Sequence, residues 1–282
     1  MTIQIAIASG KGGTGKTTLA ANLASVLAKN GQSVQYLDCD VEEPNGHIFL
    51  APAITTTEPV GIPVPVVDGE KCTGCRKCTE ICQYHAIAVL KTPLVFAELC
   101  HGCGACALVC PAAAIREGNR AIGVVETGWS GQLAFVQGRL NVGEPMAPPL
   151  IRAVKKKSLA DGVAILDAPP GTSCPVVSTV RDADYVVLVT EPTPFGLNDL
   201  RLAVEMIRQL AVPFGVVINR SDAGDGRVRD FCAEQRIPVL LEIPEDRRVA
   251  ESYSRGQLAS NALSEWPAHM LRLWERLLEE NA

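Results

Sequence analysis

The sequence predicts an α/β protein: a doubly wound, mostly parallel sheet that is interrupted by a small inserted α+β unit. An apolar strand-like segment at residues 3–8 passes through a glycine-rich loop into a helical stretch at 19–28. Strand and helix patterns alternate again after residue 162, while eight cysteines are concentrated between these two regions. Because alternating strands and helices build parallel sheets, the cysteine-rich segment is expected to interrupt one such domain.

The glycine-rich loop fits the pattern G-x4-G-K-[ST] between a strand and a helix. Its backbone N–H groups and the following helix N-terminus are expected to surround phosphates, with Lys16 on the β- and γ-phosphates and the Thr17 hydroxyl on Mg²⁺. A plain glycine-rich turn would not need this context. The pattern therefore predicts a P-loop NTPase that binds ATP through Gly10, Lys11, Gly12, Gly13, Thr14, Gly15, Lys16, Thr17 and Thr18.

Two further apolar segments end in carboxylates. Residues 34–40 end in Asp38 and Asp40, and residues 163–167 end in Asp167. The C-terminal edge of a parallel sheet is where such folds bind ligands, although carboxylates there can also cap loops. We expect these three side chains, with Thr17, to surround Mg²⁺.

Eight cysteines form two runs with the spacing C-x2-C-x2-C-x3-C, and each cysteine of the second run follows its counterpart by 28 residues. This is the bacterial two-cluster ferredoxin pattern, in which the fourth cysteine of each run binds the other run's [4Fe-4S] cluster. The resemblance assigns one cluster to Cys72, Cys75, Cys78 and Cys110, and the second to Cys82, Cys100, Cys103 and Cys106. Disulfides and structural zinc are the alternatives; the repeated spacing fits neither as well.

Three segments resemble the MinD/Mrp/ParA superfamily, which also contains the nitrogenase iron protein: Lys11, residues 40–45 (DVEEPN) and residues 167–172 (DAPPGT). The resemblance implies a Mg²⁺-dependent ATPase with the catalytic residues Lys11, Lys16, Asp40 and Asp167. Lys11 would cross an ATP-dependent dimer interface, Asp40 would orient water, Asp38 would support the Mg²⁺ shell, and Asp167 would hold Mg²⁺ through water. The dimer would form with a second copy or with a paralogue.

The resemblance also suggests three less specific assignments. Asn219 and Pro244 match segments that flank adenine, but both are ordinary turn residues. Cys174 follows Asp167 closely, where the nitrogenase iron protein has a cluster ligand; simple burial is the alternative. We expect Cys174 to face the dimer partner as a redox-active or transiently metal-binding thiol.

A composition shift at residues 59–65 predicts the domain organisation. The ATPase domain would comprise residues 1–60 and 119–282, with the ferredoxin unit at 61–118 between them. Residues 121–142 are expected to form a hairpin that turns at 127–131. The final segment, 265–280, has one apolar face and an acidic polar face, which favours core packing over membrane binding.

The formal net charge of −5 argues against nonspecific DNA binding. Residues 1–4 enter a strand without a basic signal region, so we expect a cytoplasmic location. Three functions remain open. The sequence favours the first, ATP hydrolysis coupled to electron transfer to a redox partner. The alternatives are cluster delivery to an acceptor protein and ATP-switched spatial organisation with structural or sensory clusters.

Overall fold

A nine-stranded sheet forms the centre of the computed structural model, which describes residues 2–280. Its strand order is β11-β10-β9-β1-β8-β2-β7-β6-β3, parallel from β11 to β7 and antiparallel at β6 and β3. The predicted mostly parallel sheet is therefore present. The strands of this sheet are β1 (Thr2–Ala8), β2 (Val34–Asp38), β3 (Ala53–Val67), β6 (Ile115–Ser130), β7 (Leu133–Leu140), β8 (Gly162–Asp167), β9 (Tyr185–Thr190), β10 (Phe214–Asn219) and β11 (Val239–Ile243).

Helices cover both faces of the sheet because its strands carry apolar side chains on both sides. Ile5 and Ile7 of β1 face one core, and Ala6 and Ala8 face the other. The helices are α1 (Lys16–Lys29), α2 (Gly46–Leu50), α3 (Lys77–Ile81), α4 (Ala105–Leu108), α5 (Ala147–Lys155), α6 (Cys174–Val180), α7 (Pro194–Leu210), α8 (Arg227–Glu234), α9 (Arg247–Ser254), α10 (Ala259–Ala262) and α11 (Trp266–Glu280).

The C-terminal helix α11 packs into the core. Its apolar face, which includes Trp266, Met270 and Trp274, is buried together with residues of α1. The expectation of core packing is confirmed. No helix within residues 2–280 has the length and apolar character needed to cross a membrane.

The cysteine-rich segment is continuous with the sheet. Strands β3 and β6 pair in antiparallel register from Ala53↔Trp129 to Val67↔Ile115, and the segment between them carries the cysteines. The predicted boundaries at 60/61 and 118/119 therefore fall inside two strands, and the division into domains stays a prediction.

The predicted hairpin is present, but its turn is shorter than expected. Residues 127–130 pair with 133–136, so the chain reverses at Gly131 and Gln132. Gly131 has φ of 59°, which glycine adopts without strain. The hairpin then places β7 beside β2.

The segment between β3 and β6 is small and has few regular elements. It contains the short helices α3 and α4, a 3₁₀ turn at Ala97–Leu99, and a hairpin of β4 (Ile87–Val89) with β5 (Pro93–Val95). Ala86 and Cys100 pack with Ile62 and Val64 in the same apolar core that lies under the main sheet. This cysteine unit, residues 68–114, therefore shares a core with the rest of the molecule.

Candidate functional site

The glycine-rich loop has the geometry of a phosphate cradle. Gly15 has φ of 98° and lies immediately before α1, so the helix N-terminus opens into the loop. A Cβ at Gly15 would also approach Asn219 Nδ2 to 2.5 Å. Glycine is thus required there by both backbone conformation and space.

Lys16 lies inside the site, with only 7% of its surface exposed. Burial lowers the pKa of its ammonium group, while the carboxylates of Asp167 and Asp40 oppose that effect. A buried ammonium group requires charged partners, and the two carboxylates provide them.

Asp167 is fully buried at the end of β8. Its Oδ2 accepts a hydrogen bond of 2.7 Å from the Tyr36 hydroxyl. Burial raises the pKa of Asp167, and the neighbouring Thr17 hydroxyl, Tyr36 and Lys16 lower it. Asp167 Oδ1 and Thr14 Oγ1 are both buried and have no hydrogen-bond partner in the described part of the chain. Buried oxygen atoms of this kind fit a hydrated Mg²⁺.

Asp38 has a different environment from that expected of a direct ion ligand. Its Oδ2 accepts from Gly46 N at 2.9 Å, and its Oδ1 accepts from Asp40 N at 3.2 Å. Burial and the charge of Asp167 raise the pKa of Asp38 well above its usual value. Both carboxylate oxygens therefore anchor the loop between β2 and α2.

Asp40 lies in that loop, partly exposed, beside the Lys16 and Asp167 side chains. Burial, followed by the charge of Asp167, raises the pKa of Asp40 to about 6, although Lys16 lowers it. The predicted catalytic residues Lys16, Asp40 and Asp167 are thus brought together at one edge of the sheet.

Lys11 points away from this group. Its Nζ forms an ion pair with Glu191 Oε1, and Arg220 Nη1 lies 3.0 Å from Glu191 Oε2. Glu191 follows β9 at the same sheet edge and is largely buried. Glu191 could have been identified from the sequence in the same way as Asp38 and Asp167, because it is also a carboxylate at the end of an apolar strand.

The two residues predicted near adenine differ in their surroundings. Asn219 Nδ2 donates to the Thr14 carbonyl oxygen at 2.9 Å, so its amide braces the phosphate loop. Pro244 is exposed beyond the end of β11. The structure therefore relates Asn219 to the phosphate loop more directly than to a base.

The eight cysteines of the two runs line two separate cavities. One cavity, of about 500 Å³, is lined by Cys82, Cys100, Cys103 and Cys106. The other, of about 350 Å³, is lined by Cys72, Cys75, Cys78 and Cys110. These are the two sets of four that the spacing predicts, including the exchange of Cys82 and Cys110 between runs.

In each cavity the four thiols line the walls and do not converge on the position of a single ion. Within residues 2–280 no three His, Cys, Asp or Glu side chains are placed to hold a single metal ion. Four thiols around such a space suit a multi-atom iron–sulfur cluster, whose ligands are thiolates.

Backbone N–H groups contact three of the sulfur atoms. Ala86 N donates to Cys82 Sγ and Ala114 N to Cys110 Sγ, both at 3.3 Å, and Gly102 N donates to Cys100 Sγ at 3.4 Å. Such bonds stabilise thiolate charge. Cys82 and Cys110, the fourth cysteines of the two runs, each accept from the backbone N–H of the residue four positions later. This equivalence agrees with the internal duplication.

The three remaining cysteines lie outside both cavities. Cys39 and Cys232 are buried, and burial raises the pKa of both thiols. Cys174 is exposed and begins α6. The burial alternative for Cys174 is therefore wrong, and its predicted partner-facing role stays a prediction.

Comparison with known proteins agrees with the fold and the phosphate loop. Residues 5–259 match the family model described as the CobQ/CobB/MinD/ParA nucleotide binding domain. The chain belongs to this family. As a CobQ/CobB/MinD/ParA nucleotide-binding protein, it is 32% identical over 256 residues to an uncharacterized protein of Methanocaldococcus jannaschii, covering 90% of each chain.

Two more distant similarities bear on fold and function. An iron-sulfur cluster carrier protein of Pyrococcus horikoshii is 26% identical over 283 residues, which cover 90% of this chain and 77% of that protein. The septum site-determining protein MinD of the same organism, solved with Mg-ADP, superposes with a TM-score of 0.63. It covers 98% of this chain and 96% of its own at 19% identity, which shows the shared fold.

Tyr36 was not identified in the sequence as a site residue. It is fully buried, stacks on Phe135 and contacts the carboxylate of Asp167. The sequence did offer one indication of this role, a tyrosine among the aliphatic residues of a buried strand. A buried hydroxyl needs a hydrogen-bond partner, so such a tyrosine is expected to contact a polar group.

Proposed function

We propose that this protein is an ATP-hydrolysing iron–sulfur protein whose nucleotide state controls the delivery of [4Fe-4S] clusters from the cysteine unit to an acceptor protein. The observation that carries the proposal is the pair of cavities, each lined by four cysteines drawn from both runs. The P-loop follows β1, whose Ala6 and Ala8 belong to the same apolar core as Ala86 and Cys100, and it supplies the nucleotide-dependent part. The predicted division into residues 1–60, 61–118 and 119–282 belongs to this proposal.

The nucleotide chemistry depends on residues that the sheet edge brings together. Lys16 and the loop N–H groups bind the phosphates, while Thr17 and Asp167 would hold Mg²⁺, which would neutralise charge developing on the γ-phosphate. Asp40 would accept a hydrogen bond from the attacking water. Asp38 keeps Asp40 in position through the loop backbone.

Delivery is favoured over other roles by the relatives. Proteins named iron-sulfur cluster carriers match 90% of this chain. Cys75 and Cys103, one in each cavity, are exposed, so an incoming thiol can reach one ligand of each proposed cluster. Release is expected to begin at these two positions.

ATP-dependent pairing of two subunits is part of the proposal. The family resemblance assigns Lys11 to a dimer interface, and Lys11 lies at the surface with 31% of its side chain exposed. The partner in this pairing is a second copy or a paralogue of the same fold.

Cluster transfer tests the proposal directly. Anaerobically reconstituted protein would be mixed with an apo-enzyme that regains activity on receiving a [4Fe-4S] cluster. We expect transfer to be several-fold faster in one nucleotide state than in the others, and Lys16→Ala to abolish this difference. Equal transfer with ATP, ADP and no nucleotide would contradict the proposal.

Electron transfer is the second candidate, because each cavity provides four thiols and the backbone bonds to sulfur typical of retained clusters. Bound clusters would then supply one-electron redox centres. Under this alternative, iron stays with the protein during reaction with an acceptor, and the reduction rate of a redox partner depends on nucleotide.

A further inference from the structure

The Tyr36 hydroxyl and the Asp167 carboxylate form a buried contact that the family comparison does not assign. Tyr36 lies on β2 and Asp167 at the end of β8, the neighbouring parallel strand. The register pairs Tyr36 with Ile165, so the long side chain reaches two residues along β8 to meet Asp167 Oδ2 at 2.7 Å.

The Tyr36 ring has little freedom to move. It stacks on Phe135 of β7, with ring centroids 5.7 Å apart and an interplanar angle of 12°. On another side is Gly46, where a Cβ would approach the ring to 2.4 Å. A buried ring held on two sides fixes the position of its hydroxyl.

The contact makes the two oxygens of Asp167 unequal. Oδ2 accepts the tyrosine hydrogen bond, whereas Oδ1 is buried and accepts no hydrogen bond of normal geometry in the described residues, with the Thr17 hydroxyl as its neighbouring donor group. Thr17 and Lys16 lie close enough to Asp167 to affect its protonation, so the carboxylate borders the phosphate loop. We propose that Tyr36 is a positioning residue: its hydroxyl fixes the Asp167 carboxylate so that Oδ1 is presented to the hydrated Mg²⁺ of the nucleotide site.

This inference rests on the proposed Mg²⁺ role of Asp167. Hydrogen bonds that orient direct metal ligands commonly change metal affinity by roughly 10–100-fold when removed, and the effect here should be smaller because Asp167 would meet the ion through water. Loss of the hydroxyl should therefore weaken Mg²⁺ binding, while nucleotide contacts with the loop remain.

The test compares Tyr36→Phe with Tyr185→Phe in the full-length, cluster-loaded protein. Tyr185 is a matched control because it is also a buried strand tyrosine, but its hydroxyl has no hydrogen-bond partner in the described chain. Nucleotide affinity would be measured by calorimetry with ADP, first in EDTA and then across a Mg²⁺ titration.

We expect Tyr36→Phe to raise the apparent Kd for Mg²⁺ roughly fivefold, below the range for partners of direct ligands, without changing ADP affinity in EDTA. Tyr185→Phe should change neither value. In an Asp167→Asn background, Tyr36→Phe should have no further effect, since the oriented carboxylate is already absent.

A Mg²⁺ affinity within twofold of wild type in Tyr36→Phe would overturn the inference while leaving the proposed function intact. If ADP binding by the wild type is independent of Mg²⁺, the proposed site itself is wrong. Should Tyr36→Phe fail to fold, Tyr36→Met, which fills the space without a hydroxyl, is judged by the same Mg²⁺ criterion.

Discussion

Lys11 forms an ion pair with Glu191 of the same chain, and Arg220 contacts the second oxygen of that carboxylate. Glu191 therefore keeps the lysine on its own subunit. If Lys11 must reach a nucleotide across an interface, this internal pair competes with the intermolecular contact.

The first prediction is that Glu191→Gln strengthens ATP-dependent pairing. Removing the carboxylate charge frees Lys11, so the dimer dissociation constant with a nonhydrolysable ATP analogue should fall several-fold. Analytical ultracentrifugation measures this value. Glu205→Gln, an exposed change on α7, should have no effect. Weaker pairing in Glu191→Gln would instead indicate that Glu191 presents Lys11 to the partner.

The second prediction concerns the exchanged cysteines. Cys82→Ser should perturb the cluster held by Cys100, Cys103 and Cys106 and leave the other intact, because Cys82 lines their cavity. Cys110→Ser should do the reverse. Iron analysis with electron paramagnetic resonance distinguishes the two outcomes. The exposed Cys174→Ser variant should keep its full iron content, and perturbation of a cluster within the mutated run alone would refute the exchange.

The third prediction is a pH-dependent effect of Asp40 on stability without nucleotide. Its folded-state pKa of about 6 exceeds the usual value of 3.8, so the folded protein binds this proton more tightly than the unfolded chain. Ionisation thus destabilises the fold as pH rises from about 4 to 6. Asp40→Asn should be more stable than wild type by about 1–2 kcal/mol at pH 8, allowing for partial exposure.

At pH 5 the stability difference between Asp40→Asn and wild type should be clearly smaller. Thermal unfolding at matched cluster loading provides the comparison at both pH values. A constant difference would show that Asp40 does not have the raised pKa. ATP hydrolysis by Asp40→Asn should also fall about 100-fold if this carboxylate assists proton removal from water.

The fourth prediction separates phosphate-loop support from base recognition at Asn219. The Asn219 side-chain amide donates to the Thr14 carbonyl oxygen. Asn219→Ala should therefore weaken the binding of ATP and the binding of GTP by a similar factor, roughly fivefold for the loss of one hydrogen bond. A loss confined to ATP would instead support the predicted adenine contact. Calorimetry with both nucleotides decides between them.

The fifth prediction is that ATP slows alkylation of Cys174. The thiol is exposed in the single chain, so it should react readily without nucleotide and become protected when subunits pair. Mass spectrometry of the labelled peptide gives the rate. Equal labelling with and without ATP would exclude a partner-facing position.

Sequence patterns locate the phosphate loop and group the cysteines because short spacings constrain these segments locally, while the cluster-binding role of the cysteines stays a prediction. They were insufficient for the join between the cysteine unit and the sheet. Pro59, Pro63 and Pro65 belong to the composition shift from which the domain boundary was predicted, yet they lie in β3, an edge strand paired on one side only. Proline is tolerated there because a missing N–H on the open side breaks no ladder bond.

Side-chain partners from distant segments were also beyond sequence reasoning. Tyr36 meets Asp167 across 131 positions of the chain, and Lys11 meets Glu191 across 180. Such pairs depend on strand order and register. The order places β8 between β1 and β2, and no local pattern encodes that arrangement.

The paired strands β3 and β6 make the cysteine unit a stiff extension of the ATPase sheet. Two hydrogen-bonded strands resist bending far more than two loops would, even with the register shifts at 54/56 and 60/61, and the shared apolar core adds to this resistance. β6 also continues through the tight hairpin into β7, beside Tyr36. A small rotation of the sheet edge on nucleotide exchange would therefore be transmitted as a larger displacement at the cysteine-bearing tip, as in a lever arm.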